Sequence, residues 1–280
     1  FIGVRINKSI ANLWLAQNQQ FFENNYAHLG IEKEYNPKAK NLLVPESYNK
    51  YKFFASGRVY ENYMLVFIDL KKRQDLLTSV SSLFLLPEKD HIQYHAGINP
   101  ADELPIVFLI CKNKLTKSLR KQYEEVVEFT EEMSLECINS RNLTLYSENE
   151  EIIERLFKNN TILEQYKKIA DYIEMIFYSD RKSFSKNDHA IVFSYEFDKI
   201  NQPNVFEDIT KFSHMVIDFI CSSTVKASYK KEAENRRKEF DLRKSKELAE
   251  KNAEEVKNKK EEMKNNLKKP LTREQAIKLE

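Results

Sequence analysis

The chain has 280 residues, of which 41% are hydrophobic and 12% aromatic, and its formal net charge is +2. This composition can form a sizeable apolar core, which excludes a chain that is disordered over most of its length. No apolar run approaches the roughly 20 residues of a membrane-spanning helix. Three widely spaced cysteines, Cys111, Cys137 and Cys221, form no C-x-x-C pair and exclude a disulfide framework, so we expect buried free thiols in a reducing compartment.

The predicted elements alternate between helices and paired strands. Apolar residues recur at helical spacing through Ile10, Leu13, Trp14, Phe21 and Tyr26, which predicts a first helix that faces the core. A run rich in aromatic and β-branched residues around Glu61-Asn62 predicts a β-hairpin. In chain order, we predict a helix over 9–29, a loop over 31–50, the hairpin over 51–70, a helix over 73–86, strands over 91–98 and 104–111, a helix over 114–133, one or two helices over 150–173, strands over 175–180 and 190–197, and a helix over 206–225 that continues directly into a charged tail. This order predicts an α+β fold with a mainly antiparallel sheet and packed helices.

The tail differs from the rest of the chain in charge. Residues 226–280 contain 18 Lys or Arg against 12 Asp or Glu, whereas the preceding 225 residues contain 27 against 31. Residues 230–269 lack Gly and Pro and consist mostly of strong helix formers, which predicts a long helix that Pro270 interrupts. We therefore divide the chain into an α+β domain over 1–225 and a basic helical arm over 226–280.

The arm carries a poor heptad seam and clustered positive charges. Ala and Lys occupy about half of the seam that starts at Leu242, so a solvated helix, or a helix docked on an acidic partner, is favoured over a stable homodimeric coiled coil. Clustered cations suit phosphate backbones, because binding releases counterions without base-specific contacts. Folded RNA, acidic lipid and acidic protein all remain open as partners. The candidate contacts are Arg236, Arg237, Lys238, Arg243, Lys244, Lys246, Lys259 and Lys260.

Two further basic groups precede the arm. Lys71, Lys72 and Arg73 form a second cluster, which an external anion or the solvated first turn of a helix would explain. Arg5 and Lys8 follow the apolar start of the chain, a pattern typical of the flank of a membrane segment, and an arbitrary boundary explains it equally well.

The sequence gives no positive indication of catalysis. Its glycines, Gly3, Gly30, Gly57 and Gly97, stand too far apart for a phosphate-binding loop. His91 and His95 fall in a predicted strand, where they would lie roughly 13 Å apart, too far to share one metal ion. The many carboxylates neither identify nor exclude a general acid–base pair. We therefore expect a protein that is not an enzyme and has no cofactor and no metal.

Five segments of the chain resemble the calumin family, coiled-coil-domain proteins of the endoplasmic reticulum membrane. They are "GVRINKSIANLW" (3–14), "SGRVYENYMLVFIDLKKRQDLL" (56–77), "ADYIEMIFYSD" (170–180), "MVIDFI" (215–220) and "PLTREQA" (270–276). The match is densest at Ser56-Gly57-Arg58-Val59 and over 70–77, and it is loose over 87–165. We expect Gly57 to allow a bend in the hairpin and Arg58 to pair with an acidic side chain.

The resemblance implies a cytosolic portion of an endoplasmic reticulum membrane protein whose anchor precedes Phe1. It further implies a subunit of the PAT complex, together with the membrane protein Asterix and other translocon subunits, that serves multipass membrane-protein clients. The basic arm would then contact ribosomal RNA near the nascent-chain exit. We expect a non-catalytic, ribosome-binding scaffold of an intramembrane chaperone. The alternatives are a general RNA- or acidic-membrane-surface-binding module, and a calcium-homeostasis factor that acts through segments missing here.

Overall fold

A computed structural model of the chain describes residues 2–30, 42–73, 88–138, 142–181, 189–197 and 204–268. The helices within these ranges are α1 (Ile2–Asn25), α2 (Thr116–Gln122), α3 (Glu124–Phe129), α4 (Glu150–Lys158), α5 (Asn160–Ile169), α6 (Val205–Ser222) and α7 (Ala227–Lys268). The strands are β1 (His28–Leu29), β2 (Val44–Pro45), β3 (Lys50–Ser56), β4 (Glu61–Asp69), β5 (Asp90–Ile98), β6 (Val107–Lys112), β7 (Glu131–Met133), β8 (Leu143–Ser147), β9 (Ile173–Ser179) and β10 (His189–Phe197).

The strands form one antiparallel sheet in the order β1-β3-β4-β5-β10-β9-β6-β8-β7, and β2 also pairs with β3. The predicted α+β fold with antiparallel pairing is therefore confirmed. β5 and β10 pair along their whole length at the centre of the sheet, with Asp90 opposite Phe197 and Ile98 opposite His189.

Helices α1 and α6 cover one face of this sheet, and a tyrosine of the central strand joins them. The hydroxyl of Tyr94 accepts a hydrogen bond from Trp14 Nε1 of α1 (2.9 Å) and bonds Thr210 Oγ1 of α6 (2.8 Å). All three side chains are fully buried. Because successive strand residues point to opposite faces, the other residues of β5 with the same parity, such as Ile92 and Ala96, line the same core.

Near β9, the opposite face of the sheet is covered by Tyr123, which joins α2 to α3, and by α3 itself. The ring of Tyr123 stacks on Phe177 of β9 at a centroid distance of 4.3 Å. Ser179 Oγ of the same strand donates to the buried carboxylate of Glu125 at 3.1 Å. This part of the sheet is therefore packed on both sides, which accounts for the almost continuous burial along β9 and β10.

The buried face of α1 differs from the predicted one. Ile10 is only half-buried and Leu13 is exposed, while the buried stripe is Gly3, Asn7, Ala11, Trp14, Asn18 and Phe22. Two asparagines fit this stripe because their side-chain amides donate to carbonyl oxygens, Asn7 to Lys71 (3.1 Å) and Asn18 to Trp14 (2.8 Å). Gly3 is needed for close approach, since a Cβ there would lie 2.4 Å from the carbonyl oxygen of Arg73.

The predicted hairpin is confirmed as β3 and β4, but its turn lies over 57–60 and not at Glu61-Asn62. Gly57 has φ +85°, and a Cβ at this position would lie 2.7 Å from Ala27. Tyr60 also has a positive φ of 66°. The backbone conformation that glycine adopts most easily therefore places the turn four residues before the predicted point.

The region 114–133 is not one helix. After α2, the chain is extended at Tyr123 (φ −110°, ψ 90°), resumes as α3, and ends in the short strand β7. Strand β8 was not predicted. The other predicted strands, the helices of the region 150–173 and the long charged helix are confirmed. Most of the predicted helix 73–86 and of the loop 31–50, and the break at Pro270, lie outside the described residues.

Helix α6 ends at Ser222, and four residues outside any helix separate it from α7, so the helix does not run directly into the tail. The chain divides into two compact units, Phe1–Lys226 and Ala227–Glu280. No helix among the residues described is both long enough and apolar enough to cross a membrane.

Candidate functional site

The positive charge of α7 is concentrated in its first half. Residues 227–246 carry eight Lys or Arg against four Asp or Glu, whereas residues 247–268 carry six of each. A polyanion therefore meets an excess of positive charge over the first twenty residues of the helix and none over the rest. Lys259 and Lys260, which the sequence also nominates, belong to the balanced half.

The cations of the first half follow rows along the helix. Lys230, Arg237 and Lys244 are spaced by seven residues, and Arg236 and Arg243 form a parallel row one position earlier. Seven residues are almost two turns of an α-helix, or about 10.5 Å along its axis. Side chains with this spacing lie on nearly the same face and can neutralise phosphates along a backbone.

The candidate contacts differ in exposure. Lys238, Arg243, Lys246 and Lys259 are exposed, whereas Arg236, Arg237 and Lys244 are half-buried; the side chain of Lys260 is outside the described part. The ion pairs Lys238–Glu234 (2.6 Å) and Lys244–Glu247 (3.5 Å) lie at the surface and contribute little to the stability of the helix.

The single phenylalanine of the arm does not present a stacking platform. The guanidinium of Arg243 lies 5.5 Å from the ring centroid of Phe240, and the ammonium of Lys244 lies 5.7 Å from it. The ring is therefore engaged by the two cations, as in a cation–π contact. This arrangement is consistent with backbone neutralisation and not with base stacking.

The second basic cluster, Lys71-Lys72-Arg73, is tied into the body. Arg73 Nη1 donates to Asn7 Oδ1 at 2.5 Å and its Nη2 pairs with Asp90 Oδ2 at 2.5 Å. The backbone N–H of Lys71 donates to the other oxygen of Asp90 at 2.8 Å. Arg73 thus joins α1 to the start of β5 and has internal partners, and contact of this cluster with an external anion stays a prediction.

Arg5 and Lys8 are both exposed on α1. Lys8 stands at the rim of a groove of about 540 Å³ between α1 and the segment around β2, with Val4, Leu15, Leu43 and Tyr48 among its lining residues. The two cations therefore lie on the solvent side of α1, where contact with an anionic surface is sterically possible.

A buried polar cluster lies directly below the turn between β3 and β4, where the resemblance is densest. Arg58 pairs with Glu61 through Nη1, and its Nη2 donates to Asp218 Oδ2 of α6 at 2.7 Å. The hydroxyl of Tyr26, at the end of α1, contacts both Glu61 Oε2 and His214 Nε2, the latter at 2.7 Å. The predicted acidic partner of Arg58 is present, and the cluster joins α1, the turn and α6.

The cluster shifts the titration of its members. Burial raises the pKa of the Glu61 carboxyl, against the opposing effects of Tyr26 and Arg58. Burial also lowers the pKa of the His214 imidazole to about 3. Such shifts occur at functional sites and in structural ion-pair networks alike.

His91, in the strand as predicted, does not pair with His95. Its Nδ1 lies 3.0 Å from Glu174 Oε2, and ligand atoms of His91, Glu174 and Glu196 lie within 4.8 Å of one another. Three ammonium groups already surround Glu196, from Lys89 (2.6 Å), Lys112 (2.6 Å) and Lys114 (3.3 Å). Burial opposes the ionisation of Glu196, but the lysines outweigh it and hold the pKa of that carboxyl at about 2. The positions that a metal cation would take next to Glu196 are occupied by lysine charges.

Sequence reasoning missed the row through Lys230 and, apart from the acidic partner of Arg58, the cluster below the turn. The seven-residue spacing of the cations is visible in the sequence and could have identified the rows. His214 was also detectable as one histidine within the apolar run "FSHMVIDFI". The meeting of Tyr26, Glu61 and His214 carries no sequence signal, because the three residues come from separate elements.

Comparisons with known proteins find a family model and several curated relatives. A family model described as PAT complex subunit CCDC47 matches residues 1–280. An uncharacterized protein of Arabidopsis thaliana is 33% identical over 172 residues, which are 59% of this chain and 35% of the relative. Proteins named PAT complex subunit CCDC47 from Danio rerio and Homo sapiens are each 28% identical over 66% of this chain and 38% and 39% of their own lengths. The matched part thus spans less than two fifths of these relatives.

Proposed function

Because this chain belongs to the family of PAT complex subunit CCDC47, whose model matches it from residue 1 to residue 280, we propose that it is a non-catalytic scaffold whose first half of α7 binds the ribosome. The family description and the names of the relatives are those of a complex subunit. The chain would act at the endoplasmic reticulum membrane, on the cytosolic side, as part of an intramembrane chaperone that assists multipass membrane proteins.

The observation that carries the ribosome contact is the excess of cations over residues 227–246. Ribosomal RNA presents a dense array of phosphates, and neutralising them releases counterions whatever the base sequence. Because α7 is a single long helix, its cations follow one line and can contact several phosphates in succession. The cation-covered ring of Phe240 further favours the phosphate backbone over unpaired bases.

The remaining partners follow from the resemblance. The chain would assemble with Asterix and other translocon subunits through its body, near an anchor that precedes Phe1. Arg5 and Lys8, exposed on α1, would then face the anionic membrane surface. Polar residues of incompletely assembled multipass clients are costly in lipid, and a scaffold of this kind would hold the shielding subunits beside the nascent chain.

Ribosome co-sedimentation across a salt series tests the contact. We expect the full chain with Arg236, Arg237, Arg243 and Lys244 replaced by Gln to bind ribosomes at least about tenfold more weakly than the unaltered chain at low salt. The slope of log K against log salt is negative, and its magnitude should decrease by about 3, since each phosphate contact contributes roughly 0.7 to 0.9.

The matched control removes the same charge from the second half of α7. Replacing Lys257, Lys259, Lys260 and Lys264 by Gln also deletes four cations from the helix and preserves helix-forming residues. We expect this variant to lose much less affinity. Equal losses of affinity in both variants would mean that only the net charge of the helix matters. Unchanged binding in both variants would mean that the ribosome contact lies elsewhere in the chain or does not exist.

A second candidate is a module for acidic membrane surfaces, which the same rows of cations favour. Vesicles containing phosphatidylserine distinguish the two. Binding to such vesicles with an affinity equal to that for ribosomes, and equally reduced in the first-half variant, would support a general polyanion-binding arm. A calcium-homeostasis role would act through segments outside this chain and makes no prediction for these variants.

A further inference from the structure

The buried cluster below the β3–β4 turn lacks a hydrogen when its groups carry their ordinary charges. His214 Nδ1 lies 2.7 Å from the carbonyl oxygen of Thr210. A carbonyl oxygen only accepts, so Nδ1 carries the hydrogen and Nε2 of the neutral ring carries none. The 2.7 Å contact between Nε2 and the hydroxyl of Tyr26 therefore requires the phenolic hydrogen.

The same hydroxyl also contacts Glu61 Oε2. An ionised carboxylate only accepts hydrogen bonds, and tyrosine has a single O–H. The two contacts of Tyr26 therefore compete for one hydrogen. One of them would be a close approach of two acceptor atoms in a site that is almost closed to water, since Tyr26, Glu61 and His214 are each at most 6% exposed.

A count of charges gives the same result independently. Among the residues that the structure describes, Arg58 is the cation that contacts the two carboxylates, Glu61 and Asp218. The side chain of Glu61 has no exposed surface, whereas that of Asp218 is half-exposed. With Glu61 ionised and His214 neutral, the cluster carries one net negative charge, because Arg58 is shared between a fully buried and a half-exposed carboxylate. A proton on Glu61 removes the negative charge that water cannot reach.

We propose that the chain of groups Glu61–Tyr26–His214 binds one additional proton at neutral pH. With the proton on Glu61, the carboxylic O–H donates to Tyr26, and the hydroxyl of Tyr26 donates to His214 Nε2. The other oxygen of Glu61 still accepts from Arg58, which remains paired with Asp218. One proton therefore satisfies both contacts of Tyr26 and brings the charge of the cluster to zero.

The proton resides on Glu61 and not on the imidazole. Burial raises the pKa of Glu61, and burial lowers the pKa of His214 to about 3. Within the described part of the chain, Cys221 of α6 is a further titratable group that faces the cluster, and burial raises the pKa of its thiol to about 12, so it adds no charge. The rings of Phe21 and Phe22 pack against His214 and keep water from it.

The proton makes the stability of the contacts between α1, the β3–β4 turn and α6 dependent on pH. The pKa of Glu61 is higher in the folded than in the unfolded chain, so its contribution to stability is complete below the unfolded value and is lost as the pH rises through the folded value. Between these two pKa values, the folded chain holds one more proton than the unfolded chain, so the equilibrium constant for unfolding rises about tenfold for each unit of increase in pH.

Carboxyl ¹³C and ring ¹⁵N NMR of the labelled full chain at pH 7 tests the proposal, with Glu61→Gln used to assign the Glu61 signal. We expect a protonated carboxyl at Glu61 beside a neutral His214 ring. A charged His214 ring beside ionised Glu61 would also support the additional proton and would place it on the imidazole. An ionised Glu61 beside a neutral His214 overturns the proposal.

The pH dependence of unfolding gives a second measurement. Glu61→Gln reproduces the hydrogen-bonding pattern of the neutral acid, so we expect it to fold and to remove the one-proton slope above pH 5. Glu154→Gln makes the same change at a solvent-exposed ion pair with Lys158 and should keep that slope. An identical slope in the unaltered chain and in Glu61→Gln would contradict the proposal.

Discussion

At the scale of single residues, polar side chains occupy places in the core that a pattern of apolar residues does not indicate. Asn7 and Asn18 lie in the buried stripe of α1. Glu61 of β4, Asp90 of β5 and His214 of α6 are also buried. Each has a specific partner, as buried polar groups require. A sequence pattern reports which residues prefer to be buried and does not report which polar residues have found a partner.

Arg73 provides a test of whether a basic cluster is structural or binds an external anion. Arg73→Gln removes the charged partner of Asp90, whose side chain is only 5% exposed, and leaves it with the N–H of Lys71. We expect the free energy of unfolding, measured by chemical denaturation, to fall by about 2 to 3 kcal/mol, because a buried carboxylate loses its counter-charge.

Lys211→Gln is the matched control for Arg73, since Lys211 forms an exposed pair with Glu207 one helical turn away. Its loss should cost less than about 0.5 kcal/mol. If Arg73→Gln were as stable as the unaltered chain but bound ribosomes less well, Arg73 would be an external contact and the structural interpretation would be wrong.

At the scale of elements, a capping asparagine precedes each of the helices α4 and α5. The side chain of Asn159 accepts from the backbone N–H groups of Thr161 (3.1 Å) and Ile162 (3.4 Å) at the start of α5. Asn159→Ala should lower the free energy of unfolding by about 1 kcal/mol, since it leaves these N–H groups without their side-chain acceptor. The neighbouring substitution Asn160→Ala should change it by less than about 0.5 kcal/mol, and equal effects of the two would refute the cap.

Strands and long helices were predicted more accurately than turns and breaks. β10 was predictable because its apolar run is long, and β5 because polar and apolar residues alternate along it. The break at Tyr123 was not, because the residue stacks on Phe177 of a strand that lies fifty-four positions later. The turn at Gly57 was misplaced because the close approach of Ala27, which lies between α1 and β1, leaves no pattern in the sequence around residue 57.

The candidate site shows the same limit. The charge excess of the arm could be read from composition alone, and the rows of cations follow from helical geometry. The partner of Arg73 could not be read in this way, because Asp90 is brought to it by the pairing of β4 with β5. Sequence therefore identified where charge is abundant, and the fold identified which charges are already paired.

At the scale of the whole molecule, the two compact units differ in the source of their stability. The body buries a continuous apolar core on both sides of its central strands, whereas α7 exposes Leu242 (58%) and Leu248 (61%). In hydrogen exchange of the full chain, we expect the amides of α7 beyond residue 240 to exchange at least about a hundredfold faster than those of β5 and β10, since little buried area opposes their opening. Comparable protection would show that a partner or a second copy covers this part of the helix.

The short strands at the borders of the sheet have a consequence for colloidal behaviour. β1 and β2 contribute two residues each along the outer side of β3, and β7 at the other border has three, with Glu131 and Glu132 exposed. Long flat borders act as templates on which strands of other molecules add, and brevity and negative charge both oppose that addition. The described part of this sheet thus offers few open backbone groups for self-association or for the addition of extended apolar segments of other proteins.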